Sequence, residues 1–361
     1  MKKTITVNSI EFLKSMNVVS PVVKERTTLP ILTNLLIEVK ETELKITAYN
    51  QETRTSITMK VDSTESFAFC VSKSLLQNIL SSLPNIDLSL SFEKNTLEIS
   101  SKLGDYKLPT EEAIIFPESP NLGNLESFKV DSELFVDGIR KAIPYVDALT
   151  DNLNRVVVKS KEGKLNIAGI SKNAIYEKKF DYNGDDVEIL LTTESAKFIS
   201  QTINVDSDVT LKYNSNFFCV YFDNISIETL QLSVNSPDYG KLLNSIKKES
   251  CLKINKELFF ACIKRFSAIS DKDSKSLIME ISKEKMILSY ENDFLKHTAK
   301  ENVTDFEYEG NEIRIGLNIN QLRNISATLE EDIVMYFNTS KTPALLEETH
   351  TRVLLSPMIV S

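Results

Sequence analysis

Phe67-Ala68-Phe69-Cys70-Val71-Ser72-Lys73-Ser74-Leu75-Leu76-Gln77-Asn78-Ile79-Leu80-Ser81-Ser82-Leu83-Pro84 is the stretch from which the fold can be read. Phe67, Phe69 and Val71 alternate with Ala68 and Cys70, the period of a strand with one buried face. Ser72 then offers a side-chain oxygen suited to a helix N-cap. Leu75, Leu76, Ile79, Leu80 and Leu83 follow at helical spacing until Pro84 stops them. The predicted unit is a strand running into a capped amphipathic helix. It recurs as Phe128 and Val130, cap Asp131, then Leu134, Phe135, Ile139 and Ala142 before Pro144. It recurs again as Leu252 and Ile254, cap Asn255, then Leu258, Phe259, Cys262, Ile263 and Phe266. Looser copies follow candidate caps Ser9, Thr193 and Asn318, with Phe12, Leu13 and Met16, with Phe198, Ile199 and Ile203, and with Leu322, Ile325 and Leu329. The six caps repeat at roughly 62 residues, the mark of a chain built from equivalent units.

Alternating runs follow each helix, such as Leu44-Lys45-Ile46-Thr47-Ala48, Ile86-Asp87-Leu88-Ser89-Leu90 and Val209-Thr210-Leu211-Lys212-Tyr213, so each unit reads β-α-β-β-β. One such unit cannot bury its sheet face alone. Pairing units gives an α+β fold of three similar domains of about 120 residues each, within the usual size range. The boundaries are set at 1–123, 124–249 and 250–361 by Pro117, Pro120, Asn121 and Gly123, and by Pro237, Gly240 and Lys247-Lys248-Glu249. The alternative is a generic α+β protein whose spacing is coincidence.

The 42% hydrophobic content is that of a globular chain, and the four cysteines are scattered with no CxxC pair, so neither a disulfide framework nor a zinc site is expected. No window approaches the ~20 apolar residues of a membrane span, and Thr4, Thr6, Asn8, Ser9 and Glu11 interrupt any signal-peptide core. A soluble, cytoplasmic protein with reduced thiols is expected. A net charge of −9 opposes indiscriminate coating of nucleic acid but leaves room for a locally positive surface. His297 and His350 sit in no catalytic or metal motif, and no Gly-rich phosphate loop occurs. The acidic pairs Asp185-Asp186 and Glu330-Glu331-Asp332 read as solvated turns. No enzyme activity, metal or cofactor is expected.

Arg26-Thr27-Thr28-Leu29-Pro30-Ile31-Leu32-Thr33-Asn34-Leu35 closely resembles the R-x-TLPIL-x-N-L segment of the bacterial DNA polymerase III β subunit family, the sliding clamps. Phe116-Pro117, Ser236-Pro237-Asp238-Tyr239, Glu312-Ile313-Arg314-Ile315-Gly316-Leu317-Asn318 and Pro357-Met358 stand in the order that family requires, and the similarity spans the whole chain. The resemblance implies a head-to-tail homodimeric ring with duplex DNA through its middle, bound without regard to sequence. Its partners would be the replicative DNA polymerase, the clamp loader and other proteins with clamp-binding peptides. If the helices line the hole, packing about 10 Å apart lets six enclose only roughly 9 Å, whereas twelve from two chains leave a bore of about 28 Å.

Such a bore requires local positive charge, for which the candidates are Lys14, Arg26, Lys73, Arg140, Lys141, Lys197, Lys264, Arg265 and Arg323. Each singly reads more readily as a solvated helix face, and it is their occurrence near all six helices that favours the bore. By resemblance, Arg26 occupies a DNA-facing position, and Tyr106 and Leu108 meet Ala268 and Ile269 of a second copy at ring closure; the alternative is that these four are core residues. Also by resemblance, a partner-peptide groove is formed by Leu153, Ile170, Lys172, Asn173, Ala174, Ile175, Pro237, Lys241, Leu242, Val353, Pro357, Met358, Ile359 and Val360. The family's T-D-G-H-R-L reads Ile170-Ser171-Lys172-Asn173-Ala174-Ile175 here, and its M-P-M-R-L reads Ser356-Pro357-Met358-Ile359-Val360; both changes remove an arginine. The function expected is a processivity factor that tethers a polymerase by containment. The alternative is a repeat-built scaffold or divergent paralogue that never encircles DNA.

Overall fold

The structure is a computed structural model and describes residues 3–63, 65–146, 155–232, 238–271 and 275–359. Six β-α-β-β-β repeats run through it. The first is β1 (Lys3–Asn8), α1 (Ser9–Val19), β2 (Asn34–Lys40), β3 (Glu43–Tyr49) and β4 (Thr53–Lys60). The second is β5 (Phe67–Ser72), α2 (Lys73–Ser82), β6 (Asp87–Glu93), β7 (Thr96–Ser101) and β8 (Gly104–Glu112). The third is β9 (Glu126–Phe128), α3 (Ser132–Ala142), β10 (Arg155–Lys161), β11 (Lys164–Ile170) and β12 (Ala174–Asp181). The fourth is β13 (Glu188–Leu191), α4 (Thr193–Thr202), β14 (Thr210–Tyr213), β15 (Phe217–Phe222) and β16 (Ile225–Leu230), after which comes a short extra helix α5 (Tyr239–Ser245). The fifth is β17 (Ser250–Ile254), α6 (Lys256–Ile269), β18 (Ser276–Ile281), β19 (Met286–Asn292) and β20 (His297–Val303), followed by β21 (Glu307–Glu309). The sixth is β22 (Ile313–Asn318), α7 (Ile319–Thr328), β23 (Ile333–Phe337), β24 (Ala344–Glu347) and β25 (Thr351–Leu355).

The caps explain where each helix starts. Ser72, Asn255 and Asn318 accept backbone N–H bonds from the first turns of α2, α6 and α7, as their sequence positions predict. Two expected caps are displaced by one residue. Asn8, not Ser9, caps α1 by accepting from the N–H groups of Ile10 and Glu11, while Ser9 is buried and donates to the carbonyl of Pro84 at 2.7 Å. Thr192, not Thr193, accepts from the Ser195 N–H at 3.1 Å ahead of α4. In both places two adjacent residues have capping chemistry, and tertiary packing selects between them. Asp131 directly precedes α3.

The chain divides into two compact units: Met1–Ser132 with Phe198–Gln231, and Glu133–Lys197 with Leu232–Ser361. The first unit holds one twelve-stranded sheet, in which the first two repeats join the fourth through an antiparallel β4·β16 pairing. Phe12 and Met16 of α1 and Leu76 and Leu80 of α2 are buried under it, and Gln77 of α2 donates to Asn17 of α1 at 2.9 Å. The stretch Pro30–Thr33 is a 3₁₀ turn that sinks Leu32 among Leu36, Cys70 and Phe116.

The second unit holds a nine-stranded and a four-stranded sheet. Its third and sixth repeats join through antiparallel β12·β25, the same kind of seam as β4·β16. Helix α3 lies so close to one face of β10–β12 that a Cβ on Gly138 would stand 2.7 Å from Ile167 Cδ1, and one on Gly169 would stand 2.1 Å from the Ala142 carbonyl oxygen. Glycine is required at 169, where the neighbour is backbone, for close approach. Tyr145 stacks on Tyr176 at 5.2 Å and shares a 2.6 Å hydrogen bond with Thr328 of α7, joining the third repeat to the sixth.

Candidate nucleic-acid and peptide interfaces

Pleating decides which side chains of β10–β12 can meet. Val156, Val158, Ile167, Gly169 and Tyr176 share the face under α3, by cross-strand pairing and the glycine approaches above. On the opposite face Val157, Ala168, Ile170, Ile175 and Leu354 form one apolar cluster with Tyr239 and Leu243 of α5. Beside it, Ser171–Ala174 is a tight turn in which Ser171 Oγ accepts the Ala174 N–H at 3.1 Å. The chain after β25 is fastened to that turn by Ser356 N–H donating to the Asn173 carbonyl at 2.9 Å, and to β22 by Met358 N–H donating to the Gly316 carbonyl at 2.8 Å. Pro357, Met358 and Ile359 then border an open cavity of about 490 Å³ with Arg314, Ser340 and Lys341.

Most described members of the expected groove are therefore neighbours, in layers. Ile170 and Ile175 are buried in the apolar cluster; Lys172, Asn173, Lys241 and the 45% exposed Leu242 are exposed beside it; Pro357, Met358 and the 98% exposed Ile359 border the cavity with Arg314. Two members are corrected. Val353 pairs with Tyr176, and Ala174 with Leu355, so their side chains point to the α3 face, away from Ile170 and Ile175. Leu354, one residue along, occupies the floor position expected of Val353. Leu153, Pro237 and Val360 lie outside the described residues. Leu345, Leu190 and Tyr239 belong to the floor cluster and were not expected from sequence; the apolar i, i+4 pair Tyr239 and Leu243 was the signal available.

The basic candidates separate by what they touch. Lys141 is 14% exposed and bonded to Glu330 at 2.5 Å and Asp137 at 3.1 Å, so it ties α3 to the end of α7 instead of standing open to phosphate. Burial alone would lower its pKa, yet the two carboxylates raise it; Asp137, which burial would raise, is held below the usual carboxylate range by hydrogen bonds from Lys178 and Lys141. Arg265 grips Glu301 of β20 through Nε at 2.8 Å and a terminal nitrogen at 2.7 Å, a fork that neutralises it and raises its pKa. The remaining helix candidates are distributed one to each repeat: Lys14 on α1, half-buried Lys73 on α2, Arg140 on α3, Lys197 on α4, Lys264 on α6 and Arg323 on α7. Arg26 is exposed in the loop before the Pro30–Thr33 turn.

Of the four closure candidates, Leu108 is buried in its own sheet, while Tyr106, Ala268 and Ile269 retain exposure. Among the described residues no three His, Cys, Asp or Glu side chains could hold a metal ion, and no helix is long and apolar enough to cross a membrane.

Comparison with known proteins bears on the whole chain. Residues 3–120 match the family model for the DNA polymerase III beta subunit N-terminal domain, and 245–355 that for its C-terminal domain. The beta sliding clamp of Rickettsia bellii is 23% identical over 368 residues, covering 95% of each chain. The crystal structure of the DNA polymerase III subunit beta from Pseudomonas aeruginosa superposes with a TM-score of 0.91 at 18% identity, covering 99% of this chain and 100% of that one. A sliding clamp from Bartonella birtlesii, solved bound to griselimycin, has a TM-score of 0.89 at 19% identity with full coverage of both.

Proposed function

This chain belongs to the bacterial DNA polymerase III beta subunit family, the DNA sliding clamps, and from that premise we propose that two copies close head to tail around duplex DNA. Each chain contributes three domains, 1–123, 124–249 and 250–361. The role is non-catalytic: the ring tethers the replicative polymerase in the bacterial cytoplasm and is opened and placed on DNA by a clamp loader.

The observation that carries ring closure is which strands remain unpaired. The last strand of the first repeat pairs with that of the fourth, and the last strand of the third with that of the sixth. Among the described residues that leaves β20 of the fifth and β8 of the second, whose Gly104–Pro109 stretch pairs there only with β7. A heterologous contact between them closes after two copies if the rotation fits. The register of this third seam follows from equivalence. The ladders Leu36–Thr47–Ser56, Val157–Ala168–Glu177 and Ile278–Ser289–Lys300 correspond, because their first members pair with Cys70, Leu190 and Gly316, each two residues before a helix cap. Glu111, Leu232 and Met358, which lie against those same three residues, correspond likewise. Ser56 faces Ser226 and Glu177 faces Arg352, so Lys300 of one copy faces Asp105 of the next, an opposite-charge pair.

Lys14, Lys73, Arg140, Lys197, Lys264, Arg323 and Arg26 then supply cations to the DNA side, with contacts to phosphate alone so that the ring slides. The apolar groove of Ile170, Ile175 and Leu354, rimmed by Leu242 and Met358, receives partner peptides. Ile269→Asp is expected to give a folded monomer by sedimentation equilibrium; a persisting dimer would contradict the placement of α6 at the closing seam.

A further inference from the structure

The sheet face that carries the groove floor changes character along its length. Toward the Ser171–Ala174 turn it is apolar and covered by α5; at the other end the same face of β10, β11 and β12 presents Lys159, Lys161, Lys164 and Lys179. These four, with Lys241 of α5 and Arg352 of β25, line a cleft of about 650 Å³. Glu162, Glu177 and Asp238 line it with them, and Glu188 and Asp181 pair with Lys159 and Lys164 at its edge, so six cations meet five carboxylates and the cleft keeps one net positive charge in a chain of net charge −9. The base is fixed: Glu177 is buried and accepts from Arg352 Nε at 2.8 Å, and Arg352 also donates to Asn244 of α5 at 2.7 Å. The rim is exchangeable. Lys159 meets Glu188 at 3.0 Å and Lys241 meets Asp238 at 2.8 Å, in exposed pairs of the kind that contribute little and yield readily to another carboxylate.

We propose that this cleft binds an acidic segment of the same partner protein whose apolar peptide occupies the groove, and the proposal rests on the groove reading above. Two observations favour a peptide over a nucleic acid. Tyr239 of α5 belongs to the apolar cluster and also lines the cleft, so the cleft abuts the groove floor at α5. It also lies on the face of β10–β12 opposite α3, whereas the cations assigned to DNA are on the helices, Arg140 of α3 among them, apart from Arg26 in its loop. A cationic cleft beside an apolar one gives orientation and encounter rate to a carboxylate-flanked peptide.

The test begins by selecting random phage-displayed sixteen-residue peptides on the wild-type chain, keeping those lost on Met358→Asp. Synthetic versions with the residues flanking the apolar core set to glutamate or to glutamine are then titrated by fluorescence anisotropy. Lys159→Gln/Lys164→Gln/Lys179→Gln removes charge while retaining the side-chain stems that lie on the sheet, and its melting temperature checks folding. The glutamate-flanked peptide is expected to bind the wild type about tenfold tighter than the glutamine-flanked one at 50 mM NaCl. That advantage should fall below about twofold in the triple variant and in 0.5 M NaCl, with binding of the glutamine-flanked peptide unchanged. Equal binding of the two peptides to the wild type overturns the cleft and leaves the groove standing. Failure to select any Met358-dependent peptide overturns the groove and the cleft with it. If the triple variant instead loses affinity for a random-sequence 30-base-pair duplex while both peptides bind as before, the lysines serve DNA and the proposal is wrong.

Discussion

Asp137 shows how a single residue reassigns a charge that sequence alone gives to DNA. Lys141 follows it by one helical turn, and Lys178 reaches it from β12 at 3.0 Å, so the carboxylate draws two cations inward. Its pKa lies below the usual range, so the stabilisation it supplies is present above about pH 4, its unfolded value, and is lost as pH falls through the lower folded value. Asp137→Asn should therefore lower stability by about 1 kcal/mol at pH 7, allowing for solvent screening, with a difference in melting temperature that closes in acid. A difference that persists undiminished at pH 2 would contradict the ion-pair reading. Val353 marks the limit of position-by-position transfer. A shift of one residue along a strand reverses the face, so a register error that is small in sequence moves a side chain from groove to core. The four scattered cysteines are free, and burial pushes the thiol of Cys70 up to about 12 and that of Cys219 up to about 11.

At the scale of elements, the β-α-β-β-β phrase was fully legible because one-sided strands and capped helices each write their own period into the chain. The seams were not. Thr53, Arg54, Thr55 and Ser56 are all polar, yet all four are buried where β4 meets β16. Thr53 shares a 2.9 Å hydrogen bond with Thr229, and Ser56 shares one with Thr47, while Arg54 lies over the rings of Tyr49 and Phe116. Buried polar side chains leave no hydrophobic signal, whether paired as at Thr53 and Ser56 or stacked on rings as at Arg54, so a seam of this kind is invisible until both strands are placed. The helix–sheet contact at Gly169 is equally silent in sequence. Gly169→Ala forces a methyl against the Ala142 backbone and should destabilise the protein by about 1–3 kcal/mol, read as a lowered midpoint in urea. A neutral effect would mean that α3 does not press on β11 as closely as described.

For the whole molecule, repetition is the guiding fact, and it makes the third seam calculable from the first two. Asp105→Lys and Lys300→Asp should each weaken dimerisation at low salt, and the double swap should restore it; sedimentation in which the double variant is as weak as the sum of the singles would refute the register. Leu230 and Ser356 each donate an N–H across an internal seam, to Glu52 and Asn173. The corresponding residue of β8 is Pro109, which has no N–H to give. In the proposed register the seam between copies would thus be one hydrogen bond poorer than the seams within a chain, which would suit it to be the one that opens.

Encirclement makes one demand that neither a scaffold nor an ordinary DNA-binding protein meets. Protein assembled on a nicked circular plasmid with its ATP-driven loader, then passed through a sizing column in 0.5 M NaCl, should remain with the circle and be lost once a restriction enzyme linearises it. Equal retention on circular and linear DNA, or release from both by salt alone, would contradict a closed ring held by topology.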